Sequence, residues 1–135
     1  MSRTGLRLLV LDDDQAVVAQ MSRLFGAYYT VVPLSNPMRA IAMLQNDEDV
    51  RAFVTEQVMR FGDGVELLSS ARSIRPDVRR VMLTNYSDLA SIVGGLHSGA
   101  IQHLVQKPAN DAELLLAVAP ELMQSRTAWL RRASA

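Results

Sequence analysis

The feature that most constrains the fold is a repeated alternation of short apolar segments with segments of helical periodicity. Five apolar runs begin near residues 6, 29, 50, 80 and 101, and each is followed by a stretch whose apolar residues stand three and four positions apart. Short apolar runs of this kind are typical of parallel strands that helices cover on both faces. The alternation therefore predicts an α/β domain, a doubly wound five-stranded parallel sheet in a three-layer sandwich.

The size and charge of the chain exclude several classes of protein. A chain of 135 residues suits one domain, and its 14 basic residues balance 14 acidic ones. Such a chain has no overall field that recruits nucleic acid or an anionic membrane. It contains no cysteine, so disulfides and thiolate metal sites are excluded. No apolar run approaches the roughly 18 residues that span a bilayer, and we expect a cytoplasmic protein that binds neither membrane nor nucleic acid.

Polar side chains stand where the predicted strands end. They are Asp12, Asp13 and Asp14 after the first strand, Glu56 after the third, Thr84 after the fourth and Lys107 after the fifth. The carboxyl ends of parallel strands meet at one edge of the sheet, where ligands bind. Clustered carboxylates need a cation, and oxygen-rich acidic sites suit Mg²⁺. The pattern indicates a pocket in which Asp12 and Asp13 hold Mg²⁺ while Thr84 and Lys107 hold phosphoryl oxygens.

These motifs resemble those of response-regulator receiver domains of the chemotaxis type. That family has an acidic pair after the first strand, a phosphorylated aspartate after the third, Thr or Ser after the fourth and Lys-Pro after the fifth. The matching segments here are Leu9-Val10-Leu11-Asp12-Asp13-Asp14, Leu83-Thr84, Gln106-Lys107-Pro108 and the Ser98-Gly99-Ala100 that precedes the fifth strand. The resemblance implies a flavodoxin-like (βα)5 fold with strand order 2-1-3-4-5 and a role in two-component (phosphorelay) signal transduction.

The resemblance also implies boundaries and partners. It extends from about residue 6 to residue 123, so we expect a receiver domain over 1–125 and a C-terminal helical extension, or the start of a linker, over 126–135. It implies a histidine kinase or another signalling protein as partner. It also allows a homodimer through the face formed by the fourth helix, the fifth strand and the fifth helix.

The acceptor position departs from the family pattern. Counting back seven positions from Asp63-Gly64 leads to Glu56 instead of aspartate. The longer side chain carries its carboxylate about 1.5 Å further, toward the reach of Lys107. It brings one negative charge where a phosphoryl group brings about two. We therefore expect a pseudo-receiver in which Glu56 partly mimics phospho-aspartate, and in which Asp12, Asp13 and Glu56 bind Mg²⁺ weakly or not at all.

The output switch departs from the pattern as well. Receiver domains couple the Thr or Ser to an aromatic residue three positions before the lysine, and this chain keeps Thr84 but has Leu104 there. Gly94 and Gly95 lie within the predicted fourth helix. They either soften that helix or allow close packing, and the sequence does not distinguish the two.

Two other functions fit parts of the pattern. One is a conventional Mg²⁺-dependent phosphoacceptor receiver. We do not expect this chain to be an enzyme, and the only activity that the pattern leaves open is a vestigial Mg²⁺-dependent autophosphorylation. The other is a phosphatase of the haloacid dehalogenase kind, because Asp12-x-Asp14, Thr84 and Lys107 follow the order of its motifs. The chain lacks the Gly-Thr that follows the second aspartate in that family, and it is short for that fold.

Overall fold

The computed structural model describes residues 5–60 and 62–122. Its elements in chain order are β1 (Arg7–Leu11), α1 (Gln15–Phe25), β2 (Thr30–Leu34), α2 (Pro37–Asn46), β3 (Val50–Thr55), β4 (Val58–Met59), β5 (Gly62–Asp63), α3 (Gly64–Ile74), β6 (Arg79–Thr84), α4 (Leu89–Ser98), β7 (His103–Gln106) and α5 (Asp111–Val118). Five parallel strands form one sheet in the order β2-β1-β3-β6-β7. This is the flavodoxin-like order, and the predicted fold class is confirmed.

Side-chain alternation along β1 shows how the sheet is covered on both faces. Leu8 and Val10 belong to a buried cluster that includes Phe25 of α1 and Leu114 of α5. Leu9 and Leu11, which lie two positions apart, belong to a second cluster with residues of α2, α3 and α4. Successive side chains of a strand point to opposite faces, so a strand buried on both sides is apolar throughout. The three-layer arrangement follows directly from the uninterrupted apolar run of β1.

Four helices begin at polar cap residues that the sequence places there. The side chain of Asp14 accepts the N–H of Ala16, and Asn36 caps α2, whose first residue is Pro37. The Asp63 side chain accepts the N–H of Glu66 at the start of α3. At α5 the cap is reciprocal, and Asn110 forms a capping box with Glu113. Such caps satisfy backbone N–H groups that have no partner within the helix.

The structure differs from the sequence expectation at two places. The antiparallel pair of β4 and β5 was not expected, because two-residue strands leave no periodic signal. The fifth strand of the sheet begins at His103, not at Ile101. Gly99 turns the chain with a φ of 85°, and the N–H of Ile101 then bonds the carbonyl of Gly95 at 3.1 Å, so Ile101 does not join the strand ladder.

Two expectations about the whole chain, the C-terminal extension and the lack of a membrane-spanning segment, can be compared only with the residues that the structure describes. The predicted extension over 126–135 lies outside them. Within residues 5–60 and 62–122, no helix is long and apolar enough to cross a membrane.

Candidate functional site

Strand pairing places the candidate residues at one edge of the sheet. Leu11 of β1 pairs with Thr55 of β3, so Asp12 and Glu56 are the next residues on adjacent strands. The N–H of Glu56 continues this ladder to the carbonyl of Leu11 at 3.3 Å. In the same way, the N–H of Lys107 bonds the carbonyl of Thr84 at 2.8 Å, just beyond the β6–β7 pairing. The backbone of the sheet therefore fixes the positions from which these side chains extend.

Lys107 joins the two buried carboxylates at the centre of the pocket. Its Nζ lies 2.9 Å from Oδ2 of Asp12 and 3.0 Å from Oε2 of Glu56. Asp12 and Glu56 are each 7% exposed. Their other oxygens accept backbone N–H groups, from Asp14 at 2.8 Å and from Gln57 at 2.6 Å. All four carboxylate oxygens thus have a donor.

Burial and ion pairing act in opposite directions on these groups. Burial raises the pKa of Asp12 above its ordinary value, and the Asp14 N–H and the Lys107 ammonium offset this only in part. Burial by itself lowers the pKa of Lys107, but its bonds to Asp12 and Glu56 outweigh burial and leave that pKa raised. Lys107 is therefore a firmly charged counter-ion, one cation for two carboxylates.

The third predicted metal ligand lies apart from the other two. Asp13 is exposed, and its Oδ2 lies 3.5 Å from the backbone nitrogen of Arg60. The described residues contain no group of three or more acidic or histidine side chains arranged to hold a metal ion. The expected set of Asp12, Asp13 and Glu56 is thus not brought together, because Asp13 is exposed while Asp12 and Glu56 are buried and paired with Lys107. As placed, these three carboxylates do not form a Mg²⁺ site.

The two predicted switch residues also lie outside the ion-paired group. Thr84 is fully buried, and its hydroxyl accepts the N–H of Tyr86 at 3.1 Å. Among the described residues, no hydrogen bond joins Thr84 to Glu56. Leu104 is half-buried on β7 and packs against the core cluster on the α2–α4 face of the sheet. The structure therefore unites Asp12, Glu56 and Lys107, and keeps Thr84 and Leu104 in separate contacts.

Sequence reasoning missed Gln57, the residue after the acceptor position. Gln57 is 1% exposed, and both its backbone and its side-chain amide form hydrogen bonds. The only signal was an amide side chain directly after a strand buried on both faces, where a polar group needs partners.

Comparison with known proteins decides the family. The model of the response regulator receiver domain family matches residues 8–119. The chain belongs to the response regulator receiver domain family. Its strand order agrees with that assignment.

Curated relatives of this receiver domain are regulatory proteins. It is 26% identical over 111 residues to the acid tolerance regulatory protein ActR of Rhizobium meliloti, covering 82% of this chain and 57% of that protein. It is 31% identical over 104 residues to the photosynthetic apparatus regulatory protein RegA of Rhodobacter capsulatus, covering 76% and 55%. The receiver domain thus spans little more than half the length of these relatives.

Solved structures show the same fold. The signal receiver domain of an HD domain-containing protein from Pseudomonas fluorescens superposes with a TM-score of 0.76 at 25% identity, covering 91% of this chain and 98% of that one. A CheY-like receiver domain from Methanospirillum hungatei gives 0.75 at 24% identity, covering 93% and 99%.

The family assignment carries a general function. The chain is a receiver domain of two-component signal transduction, and receiver domains are generally signalling modules without enzymatic activity. They typically bind Mg²⁺ at the phosphorylation site and interact with histidine kinases or other signalling proteins. The assignment gives no support to the haloacid dehalogenase alternative.

Proposed function

We propose that this chain is an atypical receiver domain, a pseudo-receiver, that acts by protein–protein contact with Glu56 in the place of phospho-aspartate. The observation that carries the proposal is the 3.0 Å contact between Glu56 Oε2 and Lys107 Nζ. An anion at the acceptor position already engages the lysine, with no phosphoryl group attached.

The mimicry is partial for two physical reasons. Glu56 contributes one negative charge where a phosphoryl group contributes about two. It also engages Lys107 but not Thr84, whose hydroxyl has no hydrogen bond to Glu56 among the described residues and accepts the N–H of Tyr86. We therefore propose a fixed state in which Lys107 contacts the anion at position 56 and Thr84 does not.

The same contacts oppose modification of Glu56. Its carboxylate is buried, and each of its oxygens already accepts a hydrogen bond, from Gln57 and Lys107. A carboxylate so engaged is a poor nucleophile for a phosphoryl donor, because attack requires breaking charge-assisted bonds. We propose that Mg²⁺ binds weakly or not at all, since the Lys107 ammonium already occupies the space between Asp12 and Glu56 and offsets part of their charge.

The partner surface that we propose is the face of α4, β7 and α5. Strand β7 is an edge of the sheet, and apolar side chains stand exposed on the helices beside it. These are Leu89, Val93 and Leu96 on α4 and Leu116 on α5. Exposed apolar patches of this kind mark sites of protein contact. A histidine kinase, another signalling protein or a second copy of this chain would bind there.

Phosphorylation of native and Glu56→Asp protein tests the proposal. Both are incubated with acetyl phosphate and Mg²⁺ and examined by intact-mass spectrometry, with Glu56→Asn as the control for modification elsewhere. We expect one added phosphate on Glu56→Asp and none on the native chain. A phosphate on the native chain that Glu56→Asn abolishes would contradict the proposal and favour the conventional receiver. Modification of neither would show that the pocket has lost more than its acceptor.

A further inference from the structure

We propose that Gln57 is a positioning residue that couples the side chain at position 56 to the first turn of α4. The inference rests on the proposed function, because it supplies the route by which a fixed state of the pocket reaches the partner-binding face.

Gln57 contacts three parts of the molecule. Its backbone N–H donates to Oε1 of Glu56 at 2.6 Å. Its side-chain Oε1 accepts the N–H of Val65 in α3 at 2.8 Å, and its Nε2 donates to Oδ2 of Asp88 at 3.1 Å. Among the described residues, Gln57 alone hydrogen-bonds both the Glu56 carboxylate and Asp88. A buried amide whose oxygen and nitrogen are both hydrogen-bonded holds its partners in one arrangement.

The contact with α3 serves as a fixed point. The carbonyl of Gln57 accepts the N–H of Gly64 at 2.8 Å. A Cβ at Gly64 would lie 2.2 Å from the carbonyl oxygen of Glu56, so the start of α3 approaches the end of β3 as closely as only glycine permits. The carbonyl oxygen and Oε1 of Gln57 are thus both bonded to the start of α3. Its backbone N–H and its Nε2 donate instead to Glu56 and Asp88.

The start of α4 is the segment whose conformation can change when its contact with Gln57 changes. Tyr86 and Asp88 are the non-glycine residues with positive φ in the described chain, at 67° and 60°. Such backbone conformations are costly for L residues and persist only where the surroundings hold them. The bond from Gln57 to the Asp88 side chain is one such restraint. Its loss would let the residue that precedes α4 relax and change the first turn of that helix.

The family's usual coupling pair does not join these sites here. Leu104 stands where the pair needs an aromatic ring, and Thr84 makes no hydrogen bond to Glu56 among the described residues. Thr84 does reach the loop before α4 through the N–H of Tyr86. The Gln57 link therefore connects position 56 to α4 directly, and the Thr84 contact does not.

Hydrogen exchange in a double-mutant cycle tests the coupling. Exchange of the amides of residues 89–93 is compared between native and Glu56→Asp protein, and then between Gln57→Leu and Glu56→Asp/Gln57→Leu proteins. We expect Glu56→Asp to change exchange of the first turn by about twofold to thirtyfold, the range over which mutations modulate coupling between sites. In the Gln57→Leu background that change should vanish. A merely structural Gln57 would shift exchange in both chains of the second pair and leave the effect of Glu56→Asp intact.

Two further variants keep the test decisive. Ser87→Ala, in the same loop, removes a bond to Asn85 without touching Gln57, and it should preserve the coupling. Asp88→Ala cuts the link from the α4 side and should abolish it, even if Gln57→Leu does not fold. An unchanged effect of Glu56→Asp in the Gln57→Leu or Asp88→Ala background overturns the proposal, and so does no effect in the native background. Phosphate on native Glu56 would refute the pseudo-receiver while leaving this coupling result standing, so the two failures are distinguishable.

Discussion

At the scale of single residues, Lys107 determines the character of the pocket. Its side chain is 16% exposed and balances the carboxylates of Asp12 and Glu56, which are less exposed still. Removing one partner from a buried ion pair leaves an uncompensated charge, and that costs far more than the pair itself contributes. Because one ammonium serves two carboxylates, the pocket should tolerate the loss of one carboxylate better than the loss of the ammonium.

Replacement of Lys107 by methionine should show this dependence. We expect Lys107→Met to lower the free energy of unfolding at pH 7 by about 3 kcal/mol, because two buried carboxylates lose their counter-ion. Urea unfolding measures the change. Arg23→Met, which breaks the exposed pair with Asp111, is the control and should have little effect. Equal losses in the two variants would contradict the proposed role of Lys107.

The pKa of Asp12 predicts a pH dependence. Burial raises that pKa above its ordinary value of 3.8 in the folded protein, so folding favours the neutral form. The resulting stability is fully present below the unfolded pKa and is lost as pH rises through the folded pKa. The free energy of unfolding of the native protein, minus that of Asp12→Asn, should therefore fall as the pH rises above 3.8 and through the raised pKa of Asp12. Urea titrations in EDTA measure the difference, and a rise with pH would contradict the assignment.

At the scale of elements, the two glycines of α4 have different roles. A Cβ at Gly94 would meet nothing within 4 Å, whereas a Cβ at Gly95 would lie 2.8 Å from Cδ1 of Ile101 and 3.1 Å from Cγ1 of Val65. The structure therefore answers the question that the sequence left open. Gly95 allows close packing against Ile101 and Val65, and Gly94 lowers the intrinsic stability of the helix.

Alanine substitutions should separate these roles. We expect Gly94→Ala to raise the free energy of unfolding by about 0.5–1 kcal/mol, since an exposed helical glycine costs that much relative to alanine. Gly95→Ala should lower it by about 1 kcal/mol, because crowding at Ile101 exceeds the gain in helix propensity. Thermal and urea unfolding measure both. Stabilisation by Gly95→Ala as large as that by Gly94→Ala would show that close packing is not its role.

At the scale of the whole molecule, the α4–β7–α5 face is the surface on which output should depend. Leu89 and Val93 on that face are 58% and 56% exposed. If a second copy binds there, sedimentation equilibrium should show a dimer that Val93→Glu weakens tenfold or more, as a charge at an apolar contact would (on the order of 1.4 kcal/mol). Met38→Glu on α2, at a residue 71% exposed, is the control and should leave the dimer intact. Weakening by Met38→Glu alone would place the interface elsewhere.

The fold and the convergence of site residues could be predicted because both follow from local patterns. Apolar runs, cap residues such as Asn110, and the geometry of a parallel sheet fix which side chains share an edge. The individual contacts could not be predicted, because they depend on side-chain reach across strands. That Lys107 bridges Asp12 and Glu56, that Asp13 faces outward, and that Gln57 reaches Asp88 all depend on distances of a few ångströms that no periodicity encodes.

Backbone NMR spectra of three samples test the central claim, that Glu56 stands for phospho-aspartate at Lys107. The samples are the native chain, Glu56→Asp, and Glu56→Asp phosphorylated with acetyl phosphate. We expect the amide resonances of Gln57 and Lys107 in the native chain to lie closer to those of the phosphorylated variant, because the Glu56 carboxylate and the phosphoryl group both extend further toward the ammonium than the shorter carboxylate of unmodified Glu56→Asp. Native resonances that coincide with those of unmodified Glu56→Asp would contradict the claim.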